Sequence, residues 1–131
     1  MRLDKLVNAT VGALDDIKGR DIVVLDVKKL TSLFDKIVIA SADSTRQARA
    51  MSDNVQEKLK AAGAKVYGVE GEQVGEWILV DLGAVVVHIM QPAVRDYYNL
   101  EQLWGGELPR RVSPLRRGAD FRAQDPAGPT V

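Results

Sequence analysis

The chain has 131 residues, 46% hydrophobic and 5% aromatic, and its eighteen Lys and Arg balance eighteen Asp and Glu to a formal net charge of zero. That length predicts one domain around one core. With no Cys and a single His, the composition excludes disulfides, Cys-ligated metal clusters, a thiol nucleophile and multi-histidine metal sites, and the zero charge argues against broad binding to phosphate backbones.

The N-terminus places Asp4 and Lys5 where a signal peptide would continue in apolar residues, and no apolar run is long enough to span a bilayer. A soluble, cytoplasmic protein is expected. Leu3, Leu6, Val7, Val11, Leu14 and Ile17 lie on one helical face and predict a helix over 2–17, ended by Gly19. Ile22–Val27 and Lys36–Ala40 read as strands. Ser44-Thr45-Arg46-Gln47 fits a capping box, with Gln47 reaching back to the N-cap, and opens a helix with Ala48, Met51, Val55, Leu59 and Ala62 on its apolar face. Gly63 is placed to end it.

Val66–Val69 predicts a third strand, followed by a polar loop from Glu70 to Glu76. Trp77–Leu82 and Val85–Met90 then form a hairpin around Gly83-Ala84, a pair suited to a type II′ turn. Pro92–Tyr98 and Asn99–Trp104 read as short helical turns. Residues 1–104 form the folded domain. Residues 105–131, with four of the five prolines and five arginines, read as a mostly disordered tail. The order predicts an α/β or α+β domain with a mixed sheet, one face well covered and the other partly open.

A two-residue loop fixes the hairpin register: 82 opposes 85, 81 opposes 86, 80 opposes 87, and so outward to 77 against 90. One face then carries Ile78, Val80, Leu82, Val85, Val87 and Ile89 and must be core. The other carries Trp77, Leu79, Asp81, Val86, His88 and Met90. Trp beside a carboxylate and an imidazole suggests a protein-binding surface. The alternative is that Trp77 and Met90 pack under the terminal helices with His88 hydrogen-bonded nearby.

Other chemistry is less well supported. Asp26, Asp35 and Asp81 stand in or beside strands and could hold magnesium, but no Gly-rich phosphate loop and no Asp-x-Asp pair accompanies them. His88 as a general base lacks a Ser or Thr on its own face. Ser41, Ser44, Thr45 and Arg46 suggest an anion-binding helix start, yet the capping box already explains Ser44. Lys28-Lys29 and the tail residues Arg110, Arg111, Arg116, Arg117 and Arg122 read as solvated charge, with at most minor RNA contact. The neutral total also conceals unlike parts: residues 66–104 hold one basic and six acidic groups, whereas 1–65 and 105–131 are net basic. An acidic segment around the hairpin suits a basic protein partner.

Taken in order, several blocks resemble the ribosomal silencing factor family, also called Iojap-related. They are Leu25-Asp26-Val27 with Leu30-Thr31-Ser32, Asp35 before Val38-Ile39-Ala40-Ser41, Ser44 with Arg46-Gln47, and Glu70-Gly71. Trp77, Asp81-Leu82-Gly83, Val85-Val86-Val87-His88, Arg95, Tyr97-Tyr98, Leu100-Glu101 and Leu103-Trp104 complete the set. The chain departs from the family pattern at Lys36-Ile37, usually an aromatic pair, and at Ala84, usually Asp.

The resemblance implies a single domain of nucleotidyltransferase-like topology with a mixed five-stranded sheet. It implies no enzymatic activity and no cofactor or metal. It also implies a silencing role: binding the large ribosomal subunit through its ribosomal protein fourteen, blocking the small subunit sterically, and repressing translation under nutrient limitation. On that reading Trp77 is the aromatic anchor. Glu70, Asp81 and Glu101 are acidic partners, and His88, Met90, Tyr97 and Tyr98 fill the patch. Two other readings are a metal-dependent nucleotidyltransferase using Asp26 and Asp81, and a large-subunit assembly factor. An apolar sheet face would also allow a homodimer.

Overall fold

A mixed sheet carries two long helices on one face and two short ones on part of the other. The structure, a computed structural model, describes residues 1–104 and, in backbone alone, 110–111. The chain runs α1 (Leu3–Asp16), β1 (Arg20–Asp26), β2 (Lys36–Ser41), α2 (Thr45–Ala61), β3 (Gly68–Glu70), β4 (Trp77–Asp81), β5 (Val85–Met90), α3 (Pro92–Tyr98), α4 (Leu100–Trp104) and β6 (Arg110–Arg111). The sheet order is β3-β4-β5-β2-β1-β6. Strands β2 and β5 are parallel at its centre; every other pairing is antiparallel. The five expected strands are present, and the two-residue β6 extends the β1 edge. The remainder of the expected disordered tail lies outside the described residues. Among the described residues, no helix is long and apolar enough to cross a membrane.

The main core lies between the sheet and α1 and α2. Leu6, Val7, Val11 and Leu14 of α1 and Met51, Val55 and Leu59 of α2 meet Ile22, Val24, Val38, Ile78, Val80, Val87 and Ile89. Removing these side chains from water drives the assembly. The expected ends of α1 need one correction. The left-handed residue is Lys18, at φ 63°, not Gly19. Gly19 is needed for a different reason: a Cβ there would stand 2.9 Å from the Leu14 carbonyl oxygen and 2.7 Å from Met51 Cε. Gly63, at φ 94°, does end α2 as expected.

The capping box is half as read. Ser44 Oγ accepts from the Gln47 N–H at 3.0 Å. Gln47 Oε1, however, accepts from the Asp43 N–H, one residue before the cap. Its amide group faces the end of α1 and donates to the carbonyls of Ile17 at 3.0 Å and Lys18 at 3.1 Å. One side chain therefore caps α2 and fastens it to α1.

The hairpin register matches the sequence reading residue for residue, from Asp81 opposite Val86 to Trp77 opposite Met90. Of the two turn residues only Gly83 takes positive φ, at 87°, and Asp81 Oδ1 accepts its N–H at 2.8 Å. Strand β3 is displaced from the expected 66–69 to Gly68–Glu70. Its pairing puts Glu70 opposite Leu79 and Gly68 opposite Asp81.

Candidate functional site

Opposed residues share a face, so the second face can be read in rows. Glu70, Leu79, His88 and Ile39 form one row, and Gly68, Asp81, Val86 and Ile37 the next. Trp77, Met90 and Ser41 form a third. Half of this face is not open. Leu100 of α4 joins Val23, Leu25, Val27, Ile37, Ile39 and Met90 in a second core, with Phe34, Trp77, Val94 and Trp104 packed against it. Pro92 at the first position of α3 and Asn99 at φ 49° after its last turn fold α3 and α4 back over β5, β2 and β1.

This covering corrects three of the expected contacts. Met90 is fully buried and His88 is 8% exposed, so neither presents itself on the surface. Glu101 faces inward and pairs with Arg95, at 3.0 Å between its Oε2 and the guanidinium. Glu101 is there because Arg95 of α3 supplies its counter-charge, not because the face is open. Of the other expected residues, Glu70 and Asp81 lie in adjacent rows of this face. Glu70 is exposed and Asp81 is half-buried.

Trp77 is half-buried and lies between two layers. Beneath it, its Nε1–H donates to His88 Nδ1 at 2.9 Å. Above it, the Tyr98 ring stands 4.8 Å away between centroids, tilted 47°. Tyr97 meets Tyr98 edge-on at 5.0 Å. Tyr97 and Tyr98 are 81% and 52% exposed, large values for aromatic rings. The result is an exposed aromatic platform backed by Trp77, with Glu70 and Asp81 on the same sheet face as Trp77 in the next two rows. Burial removes water from the His88 imidazole and lowers its pKa to about 4, so the ring is neutral and can accept the indole proton.

The loop before Trp77 is tightly held. Arg49 donates to the carbonyls of Glu72, at 2.8 Å, and Gln73. Gln91 Nε2 donates to the Gly75 carbonyl at 2.9 Å. Gly71 takes φ 88°, and a Cβ on it would stand 2.1 Å from the Trp77 carbonyl oxygen. Gly71→Ala is therefore expected to lower stability by about 2 kcal/mol, combining a left-handed alanine with displacement of Trp77. Urea denaturation measures it; an unchanged midpoint would mean that the loop yields without strain.

Arg95 is the residue that sequence reasoning passed over as a site residue. It is 7% exposed. Its Nε and Nη2 donate to Glu101 at 3.3 and 3.0 Å, and its Nη1 donates to Ser41 Oγ at 2.7 Å. The pair ties α3 and α4 to the end of β2 beneath the platform. The available signal was charge: Arg95 is the sole cation in the acidic segment 66–104.

The carboxylate pair of the enzymatic alternative does not form. Asp26 opposes Lys36, which opposes Val85 on the face covered by α1 and α2, whereas Asp81 opposes Val86 on the other face. Asp26 instead accepts the Lys28 N–H at 3.1 Å and faces Lys36 Nζ at 3.3 Å. Among the described residues no three His, Asp or Glu cluster so as to hold a metal ion. Ser41, part of the suggested anion site, is engaged by Arg95.

The chain is similar to known proteins over most of its length. Residues 1–129 match the profile of the family described as RsfS, ribosomal silencing factor during starvation. A ribosomal silencing factor of Chromobacterium violaceum is 53% identical over 109 residues, covering 83% of this chain and 89% of that one. A solved structure of a protein from the same organism superposes with a TM-score of 0.80 at 52% identity, over 86% of this chain and 93% of that one. A Mus musculus protein named for mitochondrial assembly of the ribosomal large subunit is 34% identical over 101 residues, 75% of this chain but 44% of its own length. With a family match over residues 1–129 and a relative 53% identical across 83% of its length, the chain belongs to the ribosomal silencing factor family.

Proposed function

We propose that this protein silences translation by docking on a basic protein of the large ribosomal subunit, its ribosomal protein fourteen, so that its bulk blocks the small subunit when nutrients are limiting. The observation that carries the reading is the exposed Tyr97–Tyr98 platform, backed by Trp77 and lying on an acidic segment. Large aromatics that are held rigid make good interface anchors, and the acidic rim would steer a basic partner toward them. Glu70 and Asp81 supply that rim. Glu101 contributes through Arg95, from beneath. The action is steric and cytoplasmic, and it needs no bond-making chemistry, cofactor or metal.

Purified subunits on a sucrose gradient test this reading. Co-migration with the large subunit and a loss of joined ribosomes are expected; binding to the small subunit alone would overturn it. Trp77→Ala should weaken binding by about 2 kcal/mol or more. Wild-type affinity in a folded Trp77→Ala variant would remove Trp77 from the anchor role.

The name of the mouse relative favours a second reading, assembly of the large subunit. That role could use the same platform, but it predicts accumulated precursor particles when the protein is depleted.

A further inference from the structure

His88 is an awkward residue for its place in the fold. It lies in a row between Leu79 and Ile39 and is 8% exposed. The Trp77 indole N–H can only donate, so Nδ1 of His88 must carry a lone pair and the ring proton must sit on Nε2. Burying a polar imidazole in a row between Leu79 and Ile39 opposes folding, and an apolar residue of similar size would suit this row better. What His88 supplies and an apolar residue cannot is an acceptor for Trp77. That bond is the polar tie beneath a ring that also packs against the second core and meets Tyr98 and the imidazole itself at tilted angles. Without it the indole would be freer to change its torsions, and the Tyr98 and Tyr97 rings resting on it would lose their support.

We infer that His88 is a positioning residue for docking: its Nδ1 orients Trp77, and through Trp77 the exposed tyrosine platform, at some expense to the stability of the fold. The partner does not touch His88. The inference rests on reading the platform as the docking surface.

Two variants of the full chain, His88→Leu and His88→Asn, test it through three readouts. Leucine fills the site without an acceptor, while the asparagine amide oxygen stands near where Nδ1 was. The readouts are affinity for the purified large subunit, thermal stability at neutral pH, and the indole N–H resonance of Trp77, assigned with a Trp104→Phe variant. His88→Leu should shift that resonance away from its hydrogen-bonded position and weaken affinity about tenfold, while stability stays equal to wild type or rises. His88→Asn should restore both the resonance and most of the affinity. An unmoved resonance in His88→Leu would overturn the inference, as would equal losses of affinity and stability in both variants. If the wild-type protein does not bind the large subunit at all, the proposed function fails; the indole resonance then decides by itself whether His88 positions Trp77.

Discussion

Arg95→Ala should lower the free energy of unfolding by about 3 kcal/mol, the largest loss expected from a single substitution here. The side chains of Arg95 and Glu101 are 8% and 17% exposed, so each depends on the other for the interactions that water would otherwise give. Removing the guanidinium leaves the Glu101 carboxylate poorly solvated and unpaired, and leaves the Ser41 hydroxyl without its donor. The intact pair is a different matter, since burying two charges offsets most of their attraction. A double variant, Arg95→Met with Glu101→Leu, should therefore recover most of the lost stability. Urea denaturation measures both. A double variant as unstable as Arg95→Ala would show that the loss comes from packing and not from an abandoned charge. The double variant also separates stability from docking, because α3 carries both tyrosines of the platform.

Acidification should weaken the fold before most carboxylates titrate. The folded pKa of His88 is near 4 because burial disfavours the imidazolium, while the unfolded chain holds the ordinary value of 6.5. Between those values the unfolded state binds the extra proton, so stability rises with pH across this window. The contribution is complete above about pH 6.5 and is lost as the pH falls toward 4, and it amounts to about 3 kcal/mol. Asp26, held low by the Lys28 N–H and by Lys36, acts below that window, as does Asp43 beside Arg20. Urea midpoints at pH 7 and pH 4.5 give the measurement. His88→Leu should flatten the difference, and a wild-type midpoint that does not move between those pH values would contradict the assignment.

Much of the fold was legible because its signals are local. The two-residue loop at Gly83-Ala84 sets the pairing of ten strand residues, and alternation then assigns every side chain to a face. Helical spacing located α1 and α2, since each buries one stripe against the same sheet. The candidate site was only partly legible. Trp77 and Asp81 could be grouped from the register and Glu70 from charge, whereas Tyr97 and Tyr98 entered only through the family resemblance. His88 and Met90 are covered as in the alternative of packing under the terminal helices; alternation could not decide between the two readings, because the cover comes from α3 and α4, whose placement depends on a tertiary contact. That contact joins Arg95 to Ser41 across 54 residues of sequence, and no periodicity reports it. Glu101 was misjudged for the same reason: an acidic residue in a short helix looks solvent-facing until its cation is found.

The sheet also ends in a way that bears on how this protein avoids its own kind. A chain with no net charge gains little repulsion between copies, and nearly half of its residues are hydrophobic. Open strand edges would then invite pairing of one sheet's edge with another's. Here β3 offers only three residues, opening on a glycine and closing on Glu70. On the opposite side, the irregular register between Arg20 and Val23 breaks the β1 edge, and β6 occupies its middle. The most fully buried strands, β2 and β5, are furthest from either edge. Short and interrupted borders thus guard against edge-to-edge aggregation where electrostatics cannot.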